Sequence, residues 1–141
     1  MKRKASATWK GGLKDGKGIV STDSGALASA QYSFSTRFEQ GKGTNPEELL
    51  GAAHAGCFSM ALSAELEKAG MHPERVDTTA NVSLDKAGAG FAITGIHLDV
   101  VARVPGADQK AFDKAANDAK TGCPVSKALN TQITMTARLE R

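Results

Sequence analysis

The residues of this chain best suited to nucleophilic chemistry are its two cysteines, Cys57 and Cys123. A cysteine attacks as its thiolate, so its reactivity depends on what draws its pKa below a reference of ~8.5. Cys57 falls inside a run, Leu49 to Ala64, that carries no formal charge when His54 is neutral. An inert core thiol suits such a position, because free cysteine is among the most buried residue types. The electrostatics of a helix end fade after one turn, so a reactive Cys57 needs a cation brought to it by another segment. Cys123 stands directly before Pro124, a residue suited to the first position of a helix. This makes Cys123 an N-cap with its sulfur near free backbone N–H groups, which favours a thiolate. A buried cap thiol with no function fits the same spacing.

His54 lies one helical turn before Cys57 and can share its face. A Cys–His pair suggests a hydrolase or acyltransferase, whereas a packed or hydrogen-bonded histidine is the plainer reading. His72 beside Pro73 reads as loop surface and His97 as a strand residue. There is no paired-cysteine motif, and Cys57, His54 and Cys123 alone make a thin ligand set for a metal. Phe34, Phe38, Phe58 and Met60 suit either a greasy approach for alkyl groups or ordinary core packing.

The elements that must carry these residues begin with strands. Ala5, Ala7 and Trp9 alternate with polar neighbours, a strand pattern, and Gly11-Gly12 with Asp15-Gly16 turns the chain into a second strand over Lys17 to Thr22. A third strand is predicted over Gln31 to Phe38, with Tyr32, Phe34 and Phe38 on one face and Arg37 on the other. A long helix follows, with Asn45 as N-cap, Pro46 in the first position, Glu48 placed for a capping box and Gly70 as the stop after Lys68 or Ala69. A helix apolar nearly all round is buried on all sides, and one small domain can hardly wrap it, so a second subunit is expected to help. Val76 to Asp85 is a further strand, and the Ala87 to Gly90 stretch is a turn. The strand opening at Phe91 changes apolar phase at Gly95-Ile96, which predicts a β-bulge. Asp108 to Lys120 reads as an amphipathic helix, a short helical turn follows Pro124, and Ile133, Met135, Ala137 and Leu139 alternate in a last strand. The expected class is α+β, antiparallel sheet around a central helix.

The whole chain, 1–141, is expected to form a single domain. Its net charge of +3 is spread out, and the one basic cluster, Met1 to Lys4, lacks the aromatic interleaving of a nucleic-acid surface. No apolar h-region follows that cluster, and no stretch approaches the ~20 apolar residues of a membrane span. Neither nucleic acid nor membrane is therefore expected as a partner. The expected location is the cytoplasm, where thiols are kept reduced.

Four blocks carry a resemblance to a known family. GTNPEELLGAAHAGCFSMALS at Gly43 to Ser63 resembles the central-helix signature of the OsmC/Ohr family, the osmotically induced and organic-hydroperoxide-resistance proteins. FSTRFE at Phe34 to Glu39, VSLDKAGAGFAITGIHLDV at Val82 to Val100 and AKTGCPVSKAL at Ala119 to Leu129 agree in order and spacing across essentially the full chain. An arginine just upstream of the helix resembles the OsmC branch more than the Ohr branch. The resemblance implies an intertwined, cofactor-free homodimer with active sites at the subunit interface. It makes Cys57 the peroxidatic cysteine and Cys123 the resolving one. Arg37 then holds the thiolate and Glu47 orients Arg37. The implied activity is a stress-response thiol peroxidase, taking organic hydroperoxides to alcohols through a Cys57 sulfenic acid and a Cys57–Cys123 disulfide. An external dithiol then reopens the disulfide, a part that dihydrolipoyl proteins play for some relatives.

The physical chemistry suits those roles. A guanidinium is permanently charged and offers several donors, so it can stabilise a thiolate and a developing alkoxide together. Glu47 and Cys57 lie ten residues apart, about 15 Å along a helix axis, so they cannot touch within one helix. Arg37 and Glu47 of one chain are therefore expected to serve Cys57 of another. Two alternatives are a Cys57/His54 hydrolase and a non-catalytic, stress-related binding protein. Neither needs Arg37, Glu47 and both cysteines together.

Overall fold

A computed structural model describes residues Met1–Arg141. The chain forms two compact units, Met1–Leu49 and Leu50–Arg141. The first holds a three-stranded antiparallel sheet of β1 (Ala5–Lys10), β2 (Lys17–Thr22) and β3 (Ala30–Tyr32), followed by a short helix α1 (Phe34–Phe38). Trp9, Gly18 and Tyr32 stand in one register across the three strands. A Cβ on Gly18 would meet Tyr32 Cε1 at 2.5 Å and Trp9 Cε3 at 2.6 Å. The glycine thus leaves room for the two rings, whose centroids lie 5.4 Å apart.

The strand predicted over Gln31 to Phe38 ends at Tyr32. From Ser33 the chain turns helical, and the reason is a reciprocal cap. Thr36 N–H donates to Ser33 Oγ at 3.3 Å, and Ser33 N–H donates to Thr36 Oγ1 at 2.8 Å. The alternating aromatics that resembled a strand face are a helical i,i+4 pair, with the Phe34 and Phe38 rings 4.9 Å apart.

The long helix α2 runs over Pro46–Lys68. Asn45 Oδ1 accepts from Glu48 N–H at 2.7 Å, as an N-cap should. The Glu48 carboxylate does not complete the expected capping box; the Thr44 hydroxyl donates to it at 2.8 Å. At the other end Gly70 has φ +80, with Gly70 N–H to Glu67 O at 3.0 Å and Met71 N–H to Leu66 O at 2.9 Å. That pair of bonds is a Schellman stop, and it needs the left-handed conformation that glycine adopts freely. By length and composition α2 is apolar enough to cross a membrane, against the expectation that no segment would be. Its Phe58, Leu62 and Leu66, spaced four apart, are nonetheless fully buried in a protein core.

The second unit is built on a sheet of order β4-β5-β6, with β4 at Arg75–Ala87, β5 at Gly90–Arg103 and β6 at Ile133–Glu140. The β4–β5 register slips between Ser83 and Leu84, which face Gly95 and Ile93, so Thr94 is the extra residue of a bulge beside the predicted glycine. One pairing departs from the antiparallel expectation: β6 runs parallel to β5. Between them the chain makes the crossover that a parallel pair requires, through α3 (Gln109–Gly122) and α4 (Pro124–Ala128). Ile96, Leu98, Val100, Ala102 and Val104 pack in one core with Phe58, Leu62 and Leu66 of α2 and Phe112, Ala115, Ala116 and Ala119 of α3.

Candidate active site

Both cysteines lie in the second unit. Cys57 is carried on α2 one residue before the fully buried Phe58, which fixes the rotation of the helix against the core. Cys123 closes α3 and caps α4, itself with no exposed surface. Both are free thiols, and their sulfurs stand 2.9 Å apart. Residues separated by most of the second unit in sequence are thus brought within bonding reach after a small approach.

The two sulfurs differ in their surroundings. Burial pushes the Cys57 thiol up, and its hydrogen bond with Cys123 raises it further against a smaller opposing pull from the Val125 N–H. Burial also opposes the Cys123 thiolate, but hydrogen bonds from Cys57, from the Ser126 N–H and hydroxyl, and from the Val125 N–H together bring its pKa down. The Cys123 sulfur makes no regular capping bond; these donors lie close enough to favour its anion. Within one chain, then, the surroundings favour an anion on Cys123 more than on Cys57.

His54 does not bond to Cys57. Its Nε2 lies 2.8 Å from Ser126 Oγ, the ring is wholly buried, and Nδ1 has no partner. Burial lowers its pKa, so the ring is neutral at pH 7. Ser126 is the residue that sequence reasoning missed. Its signal was present in the spacing Cys123-Pro124-Val125-Ser126, which puts a hydroxyl at the third position of a helix capped by cysteine.

Arg37 and Glu47 meet in the first unit. Arg37 Nε and Nη2 both reach Glu47 Oε1 at 2.9 Å. The guanidinium carbon also stands 5.3 Å from the Phe38 ring centroid. Asn45 holds the two helices for this contact, since its Nδ2 donates to Thr36 O at 3.2 Å while its Oδ1 caps α2. Glu47 is buried and its Oε2 has no partner, whereas the Arg37 side chain is 41% exposed. Arg37 therefore sits on a helix rather than on the polar face of a strand, with a free edge of donors. Of the four aromatic or thioether candidates for an alkyl-binding surface, Phe58 is core, Phe34 and Phe38 are half-buried, and Met60 is 77% exposed.

A long helix laid on a sheet, with two reduced cysteines facing each other beside it, defines a dithiol protein of α+β class. A family model described as OsmC-like protein matches residues 39–138, and the chain belongs to the OsmC family. It is 56% identical over 138 residues to peroxiredoxin OsmC of Escherichia coli (strain K12), covering 98% of this chain and 96% of that one. It is 31% identical over 136 residues to the organic hydroperoxide resistance protein of Xanthomonas axonopodis pv. citri (strain 306), covering 96% and 92%. Among solved structures it is similar to the organic hydroperoxide resistance protein OhrB of Bacillus subtilis, with a TM-score of 0.68, 26% identity and 97% and 98% of the two chains covered.

Proposed function

We propose that this chain is a thiol peroxidase that reduces organic hydroperoxides to alcohols, and the observation that carries the reading is the 2.9 Å approach of the two free thiols. Its relatives' names, a peroxiredoxin and organic hydroperoxide resistance proteins, support the same activity. Cys57 thiolate attacks one peroxide oxygen; the O–O bond breaks, and the other oxygen leaves as alkoxide and takes a proton to become the alcohol. Cys57 is left as sulfenic acid. The Cys123 sulfur then attacks the Cys57 sulfur, the S–OH bond breaks, and the hydroxide leaves as water with the Cys123 proton. An external dithiol returns the disulfide to two thiols, becoming a disulfide itself. Such a cycle suits the cytoplasm, where dithiols are held reduced.

The active unit in this reading is a homodimer. With burial raising the Cys57 pKa, the thiolate needs a positive charge brought to it. Arg37 has exposed donors to give and is clamped to Glu47. A helix spaces Glu47 and Cys57 about 15 Å apart, so the guanidinium of one chain serves the Cys57 of a second. The α2 face bearing Ala52, Ala53, Gly56, Met60 and Ala64 is exposed and uncharged, which fits a helix covered by another copy. Mixing a Cys57→Ser chain with an Arg37→Ala chain tests the arrangement: mixed dimers should regain turnover that both parents lack, and no gain contradicts it. Comparing cumene hydroperoxide with hydrogen peroxide tests the substrate class. Faster turnover of cumene hydroperoxide is expected, and a clear preference for hydrogen peroxide contradicts it.

A further inference from the structure

His54 and Ser126 form a buried polar pair that the reaction above does not use. Nine-tenths or more of each residue is out of solvent. A polar pair in such a place is expensive to retain unless its bonds are made. The contact between them is good, 2.8 Å from Nε2 to Oγ. What distinguishes the pair is its direction. Nδ1 of the neutral ring is buried with no partner. An orphaned N–H is much rarer in a protein interior than an orphaned acceptor, so the ring proton belongs on Nε2 and Nδ1 carries the lone pair. Nε2–H then donates to Ser126 Oγ. The serine oxygen is the acceptor in that bond, which leaves its own O–H free to donate elsewhere. Cys123 caps the same short helix three residues earlier, and the Ser126 hydroxyl is among the donors that favour its anion.

We infer that His54 is a positioning residue for the resolving step, acting through Ser126 to aim a hydroxyl donor at the Cys123 sulfur. The observation behind it is the His54 Nε2···Oγ Ser126 contact of 2.8 Å, made by a ring whose other nitrogen has no partner. The inference rests on the peroxidase reading and assigns a step within it. In that step Cys123 attacks the Cys57 sulfenic sulfur, an S–S bond forms, the S–O bond breaks, and hydroxide departs with the Cys123 proton as water. Negative charge gathers on the Cys123 sulfur as its proton is shared away. A donor already oriented by His54 stabilises that thiolate, the form that attacks, before its charge passes to the departing oxygen. The ring itself gives up no proton. Its neutrality, enforced by burial, keeps the donor in place rather than supplying an acid.

The test is a single turnover of the full-length protein with one equivalent of cumene hydroperoxide, quenched at intervals. Mass spectrometry reads sulfenic acid at Cys57 and the Cys57–Cys123 disulfide separately. Wild type, His54→Phe, His54→Gln and Ser126→Ala are compared. Phenylalanine fills the ring volume without a donor, and glutamine returns one. In His54→Phe and Ser126→Ala, Cys57 oxidation should keep its rate while disulfide closure slows about tenfold or more, the worth of one bond to a charged group. His54→Gln should recover most of the closure rate, which a merely structural role would not require. Unchanged closure in His54→Phe, equal slowing of both steps, or slowing confined to Cys57 oxidation each overturns the inference. If wild type itself shows neither Cys57 sulfenic acid nor the Cys57–Cys123 disulfide, the peroxidase reading fails first, which is a different result.

Discussion

The surroundings of Cys57 and those of Arg37 are built to different degrees of completeness. The thiol pair is backed by a core that includes Phe58, Leu62, Leu66 and Phe112, all with no exposed surface. Its hydrogen-bonding partners, Ser126 and Val125, come from the same unit. The ion pair of Arg37 and Glu47 is held by one capping asparagine and an aromatic ring, and it ends in an unpartnered buried oxygen and an exposed guanidinium. The contrast shows what a single chain supplies. It sets the sulfurs at bonding range by itself, but it raises the pKa of Cys57, the sulfur proposed to attack. The charge that would correct this is displayed at the surface.

Removing the sulfur proposed to attack should have the largest effect. Cys57→Ser is expected to lower organic peroxide turnover by at least about 10³-fold, since a missing nucleophile leaves little for the rest of the site to assist. Residual turnover near wild type in a cumene hydroperoxide assay would mean the thiol side is not the reacting side. On the other side of the comparison, Arg37→Ala should cost about 10²–10³ in kcat/KM, as for loss of a donor to developing charge. Arg37→Lys should restore a part, because an ammonium supplies the charge but not the planar fork. The pH profile adds a sign. Thiolate is the reactive form, and without the guanidinium the Cys57 pKa is raised by burial. The rate of Cys57 oxidation in Arg37→Ala should therefore keep rising with pH where the wild-type rate has levelled. A profile that does not move would separate Arg37 from Cys57.

Stability should divide along the same line. Phe58→Ala empties a closed core position and is expected to lose about 3–5 kcal/mol in a denaturant titration. Phe34→Ala, half-buried beside Arg37, should lose clearly less. A smaller effect again comes from His54. Its folded pKa lies below the unfolded value of about 6.5, so below that pH the unfolded chain binds more protons than the native one. Stability should fall as pH drops from 7 toward 5, and His54→Gln should flatten that slope.

The parts legible in the sequence were those set by local chemistry. Asn45-Pro46 and Gly70 bound α2 because caps and stops are decided within a few residues. The phase change at Gly95 located the bulge for the same reason. Helix α1 was hidden because Tyr32, Phe34 and Phe38 alternate as a strand would, while the Ser33–Thr36 cap that overrides them is only two side chains. The parallel β5–β6 pair was hidden too, since strand direction is fixed by where the crossover lands and not by either strand. At the site, the family resemblance named Cys57, Cys123, Arg37 and Glu47, and the structure brings them together as two pairs. It could not place His54 on Ser126, because 72 residues separate them. A hydrogen bond across that span depends on the packed core.

The most direct measurement is mass spectrometry of wild type and Cys123→Ser after one equivalent of cumene hydroperoxide. Wild type should lose the mass of two hydrogens through an intrachain Cys57–Cys123 disulfide, while Cys123→Ser should carry one added oxygen on Cys57. A wild-type protein left with both thiols free, or a Cys123→Ser protein oxidised anywhere other than Cys57, would contradict a peroxidase built on this sulfur pair.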